Sequence, residues 1–130
     1  AGECVVASGD LPDPYTGRVI TFHRGQKTSS AVQIDHVIAL SNAWQTGAQK
    51  IPLQQRVALA NDPLNLVATD RALNQAKSDL LPADWLPPAG RCDYALRLAA
   101  VARKYQLPLP ARDYQAMRHQ CRFDFIVQRR

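Results

Sequence analysis

Cys4-Val5-Val6-Ala7-Ser8-Gly9, then Asp13-Pro14-Tyr15-Thr16-Gly17, then Arg18-Val19-Ile20-Thr21-Phe22 form the first patterned stretch. β-Branched residues flank an Asp-Pro…Gly segment, which predicts a hairpin with its turn at Asp13–Gly17. From Val32 to Leu40 every even position is apolar except His36, an alternation that predicts a strand with one buried face. Ser41 is placed to cap a short helix through Ala48, and Pro52 to open another ending near Asn61. Pro63 to Thr69 reads as a second short strand, and Asp70 as the N-cap of a helix from Arg71 to Ser78. Pro82, Pro87 and Pro88 make a rigid connection. Beyond it, Tyr94, Leu98, Val101 and Tyr105 lie three or four apart and predict a helix over Asp93–Tyr105. Pro108 and Pro110 end it, and Ala111 to Gln120 reads as another helix. The mixture is α+β, with more helices than strands and no internal repeat.

The 130 residues are 46% hydrophobic and 21% charged, which describes one globular domain over residues 1–130 and excludes a disordered chain. No apolar run approaches the ~18 residues of a membrane helix. No signal peptide is visible at Ala1, as expected for a processed secreted chain or a cut fragment. Cys4, Cys92 and Cys121 have no CxxC spacing, which argues against a zinc knuckle. If the last two helices pack antiparallel, Cys92 at the start of one meets Cys121 at the end of the other. A disulfide there staples the pair and points to an extracellular compartment. Cys4 is then left over.

Charge is uneven along the chain. Residues 1–100 carry 9 basic and 9 acidic side chains, whereas residues 101–130 carry 7 and 2, so the whole excess of +5 is C-terminal. The seven are Arg103, Lys104, Arg112, Arg118, Arg122, Arg129 and Arg130, and such a cluster suits a polyanion. The plainer reading is a solvated helix surface with a basic tail. Aromatic residues, at 7%, argue against a single-strand binder built on stacked bases. Trp44 and Trp85 read as packing residues, and His119 as surface.

Three segments carry the chemistry: Ile34-Asp35-His36, Leu64-Asn65-Leu66 and Asn74-Gln75-Ala76-Lys77, on strand, strand and helix. Each residue has a plain structural reading. His36 fits as a satisfied core histidine, Asp35 as a partner for an arginine, Asn65 as a turn former, and Asn74 and Lys77 as solvated helix positions. Their order and element types together resemble the HNH, or ββα-metal, nuclease motif. The flanks Phe22-His23-Arg24-Gly25, Val37-Ile38-Ala39-Leu40, Asn61-Asp62-Pro63, Trp85-Leu86-Pro87-Pro88 and Arg91-Cys92-Asp93-Tyr94 narrow the likeness. It is to the secreted bacterial HNH group related to the C-terminal nuclease domain of GmrSD-type restriction enzymes, over roughly residues 4–121.

The resemblance implies a ββα-metal core at about 31–79, preceded by the hairpin and followed by the stapled helices at about 92–121. It implies a secreted, metal-dependent endonuclease that hydrolyses phosphodiester bonds with little sequence preference, on DNA before RNA. Asp35 and Asn74 are the implied metal ligands, His36 the base that takes a proton from the attacking water, and Asn65 the residue that holds the His36 ring. Lys77, one turn beyond Asn74, together with Arg24 and Arg71, is expected on phosphate. Such oxygen ligands suit a hard cation. Asn74 stands where many HNH enzymes have His, which favours Mg2+, with Mn2+ possible and Zn2+ less suited. Ser78 stands where the group often has Gly. Relatives commonly extend upstream with another cysteine, so Cys4 is expected to find a disulfide partner in an upstream segment or a separate chain. His23 receives no role. The alternatives are a nucleic-acid-binding module without turnover, and a secreted, disulfide-stapled interaction protein.

Overall fold

Asp13 organises the first turn. Its carboxylate accepts hydrogen bonds from Tyr15 N at 3.0 Å and Thr16 Oγ1 at 2.9 Å, an Asx turn that reverses the chain. A computed structural model of the chain describes residues 8–23 and 31–121, so Cys4, Arg24, Arg122, Arg129 and Arg130 lie outside the described residues. The turn joins β1 (Ser8–Pro12) to β2 (Val19–His23), antiparallel, with Ser8 opposite His23 and Pro12 opposite Val19. The predicted hairpin is present. Asp13 also accepts from Thr69 Oγ1 at 2.6 Å and Asp70 N at 3.2 Å, which ties the turn to the second sheet.

That second sheet pairs β3 (Val32–His36) antiparallel with β4 (Leu66–Asp70), His36 lying opposite Leu66. Helix α3 (Arg71–Lys77) follows β4 directly, and Asp70 caps it as predicted, accepting from Leu73 N at 3.0 Å. β3, β4 and α3 together are the ββα unit.

Three local expectations are corrected. The strand predicted from Val32 to Leu40 stops at His36, because Asn65 takes up the backbone of Ile38, and α1 starts at Leu40 and runs to Thr46. Its N-cap is Ala39 rather than Ser41, which lies inside the helix. The buried face is also the opposite one: Ile34 is 56% exposed and Asp35 is 3% exposed, since Asp35 finds a cation inside the fold. Helix α2 (Leu53–Asn61) follows Pro52 as expected, and a 3-10 turn over Pro63–Asn65 precedes β4.

Helices α4 (Arg91–Lys104) and α5 (Ala111–Gln120) pack together and carry the predicted Cys92–Cys121 disulfide across a separation of 29 residues. In the chain-entropy model such a loop contributes very roughly 3–4 kcal/mol. Leu98, Val101 and Met117 are fully buried between the helices and the rest of the core. Tyr15, Trp85 and Tyr94 meet edge to face in a triangle with ring centroids 5.3–5.8 Å apart, joining hairpin turn, connection and α4. Gly90, ahead of α4, has φ +60 and lies so near Pro14 that a Cβ there would meet its carbonyl oxygen at 2.9 Å. Arg97 of α4 donates to the carbonyls of Leu64 at 2.7 Å and Pro63 at 2.9 Å and holds the approach to β4. Among the described residues, no helix is long and apolar enough to cross a membrane.

Two of the C-terminal cations, both exposed, have acidic partners. Lys104 Nζ lies 2.6 Å from Asp62 Oδ2, and Arg112 pairs with Asp84. The Lys104 hydrogen bond, then those from Tyr105 Oη and Leu64 N, hold the Asp62 carboxyl at about 2, against an ordinary 3.8. Because the folded value is depressed, this contribution to stability is full above the unfolded value and disappears as pH falls through about 2. Asp62→Asn is therefore expected to lower the melting temperature at pH 6, with the difference from the parent shrinking as pH falls from 4 towards 2. A difference independent of pH in that window would show that the charge of Asp62 is not what stabilises the fold.

Candidate active site

Lys77 occupies the last turn of α3 and is 0% exposed. Its Nζ donates to Asp35 Oδ1 at 2.8 Å and Oδ2 at 2.9 Å, to the His36 carbonyl at 2.6 Å and to the Val37 carbonyl at 3.1 Å. Tyr15 Oη donates to Asp35 Oδ2 at 2.6 Å. Burial pulls the Lys77 ammonium below its ordinary value, and the Asp35 charge opposes that pull. Burial first, and Asp35 second, push the Tyr15 and Tyr94 hydroxyls above theirs, so both phenols stay protonated. Within the fold the Asp35 carboxylate is thus paired with one ammonium and hydrogen-bonded by one phenol. Lys77, expected on phosphate, is corrected to an internal partner of Asp35. The ammonium is drawn inward because Asp35 and the two carbonyls offer it what solvent would otherwise supply.

His36 follows on the opposite side of β3. Its Nε2 lies 2.9 Å from the Ala60 carbonyl at the end of α2. A carbonyl only accepts, so Nε2 is the donor in this contact. The ring is oriented by α2, not by Asn65. Asn65 is 0% exposed: its Oδ1 accepts from Ile38 N at 2.8 Å, and its Nδ2 donates to the Ile38 and Leu59 carbonyls at 3.3 and 3.4 Å. Its own carbonyl accepts from Val37 N at 2.9 Å. Asn65, expected in the catalytic set as the residue holding the ring, is corrected to a positioning residue that clamps the backbone on both sides of His36.

His36, Asp35 and Asn74 line one surface cleft with Ile34, Leu40 and Ser78. Asn74 Nδ2 donates to Gln33 Oε1 at 2.9 Å, which fixes the amide of α3 against β3. Arg71 is exposed at the start of α3, one turn before Asn74 on the same side of the helix. Arg24 lies outside the described residues. Sequence reasoning missed Tyr15, Gln33 and Ala60. The tyrosine within the Asp13–Gly17 turn was a signal for the first, since turns seldom carry large aromatics, whereas nothing local marks the other two.

Among the described residues, no group of three or more His, Cys, Asp or Glu side chains is placed to hold a divalent cation. Asp35, itself nearly buried, and the amide of Asn74 border one cleft, an oxygen-donor pair of the type a hard cation that keeps most of its water takes. Asp35 reaches it already bearing three hydrogen bonds, so such a cation would be held weakly.

Residues 3–119 match the family model described as the C-terminal domain of GmrSD restriction endonucleases. The chain is 37% identical, over 120 residues, to an "Uncharacterized secreted protein" of Arthroderma benhamiae. The match covers 89% of this chain and 56% of the relative, so the chain spans about half of that protein's length. No solved structure matches the chain.

Removing one member of a buried ion pair strands the other. Lys77→Met is expected to destabilise the protein by about 3–5 kcal/mol in urea unfolding, and adding Asp35→Asn to recover more than half of that loss. Additive losses in the double variant would show that the two charges are not coupled.

Proposed function

Since this chain belongs to the family of GmrSD restriction endonuclease C-terminal domains, we propose that it is a metal-dependent endonuclease in which His36 activates the water that cleaves a nucleic-acid phosphodiester. The observation that carries this reading is the His36–Ala60 hydrogen bond, which commits Nε2 as donor on a residue that lines the cleft with Asp35 and Asn74, so that Nδ1 of the neutral ring would be the base. In the step, Nδ1 takes a proton from water, the water oxygen forms a bond to phosphorus, and the bond from phosphorus to the leaving oxygen breaks. The leaving oxygen takes a proton from solvent, and the imidazolium returns its proton to water. Asp35 and Asn74 would hold the cation, Mg2+ first and Mn2+ next, which when bound neutralises charge on the phosphate. Asn65 and Lys77 keep the backbone at 36–38 fixed, so His36 needs no reorientation. Arg71 and Arg24 supply phosphate contacts that do not read bases, hence low sequence preference, with DNA as the first substrate and RNA as the second.

The disulfide and the word "secreted" in the relative's description support an extracellular, oxidising compartment. A partner cysteine for Cys4 in an upstream segment or separate chain belongs to the same proposal. One observation favours the rival reading of a binding module without turnover: Lys77 already balances the Asp35 charge.

Plasmid nicking with Mg2+ or Mn2+, with and without chelator, tests both. Metal-dependent cleavage is expected, with His36→Ala lowering the rate by 10²–10⁴. Binding of DNA without any metal-dependent cleavage would establish the rival. Affinity measured in chelator is also expected to fall steeply between 50 and 200 mM salt, as phosphate-dominated binding must, and salt-independent affinity would count against both readings.

A further inference from the structure

Trp44, read from sequence as packing, is 51% exposed, which corrects that reading. The Arg56 guanidinium lies over its ring at 5.2 Å. Arg56 has no carboxylate partner among the described residues, and its buried Nε has no hydrogen-bond partner there. A guanidinium held on an indole with unused donors is a built feature, not a solvated charge.

Its place relative to His36 follows from the two helices that carry it. On α1, Leu40 lines the His36 cleft, and Trp44 is four residues on, one turn along the same face. On α2, Ala60 accepts from His36, and Arg56 is four residues back, again one turn on the same face. Both routes put the pair about one helical pitch, ~5 Å, beyond elements that border the base. The pair is therefore carried by the same two helices that border His36, not by a remote surface. The half of Trp44 in water is flat, aromatic and sequence-blind, and the adjacent charge is positive.

Resting on the nuclease reading, we propose that Trp44 and Arg56 form a stacking subsite for the nucleotide flanking the scissile phosphate. An unpaired base lies on the indole and its phosphate meets the guanidinium. A base within a duplex is stacked on its own neighbours and offers no free face, so the subsite favours single strands, nicks and frayed ends over intact duplex.

The test is fluorescence titration of the full chain in chelator, with a thymidine oligonucleotide and with a blunt hairpin duplex of equal phosphate count. Trp44 supplies the responsive signal, because Trp85 is packed between Tyr15 and Tyr94. Single strand is expected to quench the emission, and Trp44→Leu to abolish the quench. That variant should weaken single-strand affinity about ten-fold while changing duplex affinity less than two-fold; Trp44→Phe should restore most of the loss. Arg56→Gln is expected to lower the slope of log affinity against log salt by about 0.7 for single strand, one phosphate contact. Unchanged single-strand affinity in Trp44→Leu, or equal loss on strand and duplex, overturns the subsite while metal-dependent plasmid cleavage by the parent preserves the nuclease reading. A parent that binds neither oligonucleotide at low salt overturns both, and assigns the exposed apolar face of α1 and α2 to a protein partner. Melting curves of the variants, whose substituted side chains are not core residues, should match the parent.

Discussion

The buried pair of Lys77 and Asp35 sets the arrangement around His36. An ammonium with no exposed surface is tolerated only where acceptors replace its lost hydration, and here a carboxylate and two successive carbonyls do so. Those carbonyls belong to His36 and Val37, so the same contact that neutralises the charge also fixes the backbone leaving β3. It turns Asp35 inward, which by strand alternation turns His36 to the other side. The position of the imidazole is thus a consequence of where the cation is buried.

Asn65 completes that constraint from the other strand. An amide side chain can satisfy both a donor and an acceptor of one peptide segment, and Asn65 does so at Ile38 while its own backbone carbonyl receives Val37. Held by Lys77 and Asn65, the chain cannot continue as a strand and breaks into α1. Ala60 then meets the ring, because α2 leads directly into the Pro63–Asn65 turn that presents Asn65. The ring of His36 is thus held by α2 and its backbone by Asn65 and Lys77, and none of these needs to touch substrate to matter.

How much of this the sequence made legible follows from the range of the interactions. Elements set by local signals were readable: the Asp-Pro…Gly hairpin, the Asp70 cap, the Pro52 helix start and the Cys92–Cys121 staple all depend on neighbours or on one helix pairing. The face of β3 was not readable, since alternation assigns burial by hydropathy and has no means of knowing that a lysine 42 residues away will neutralise Asp35. Lys77 itself reads as solvated for the same reason. The candidate site was legible as a set of residue types, but their division into those that face the cleft and those that position others required the tertiary contacts. Ala60 contributes only a carbonyl, which any residue has, so no side-chain pattern could mark it.

Charge placement carries the last step. Lys104, Arg112 and Lys77 each pair with a carboxylate, of Asp62, Asp84 and Asp35, but only Lys77 is buried, so it is the one of the three that is structural. Arg56 and Arg71 are not among those pairs: Arg71 lies one helical turn from Asn74, which lines the His36 cleft, and Arg56 one turn from Ala60, whose carbonyl holds the His36 ring. Net charge of +5 alone describes long-range attraction to any anion. A cleft flanked from two helices by cations that have no acidic partner among the described residues describes where along that anion the chain would sit. The difference between a basic protein and a positioned one rests on which cations the fold has already neutralised.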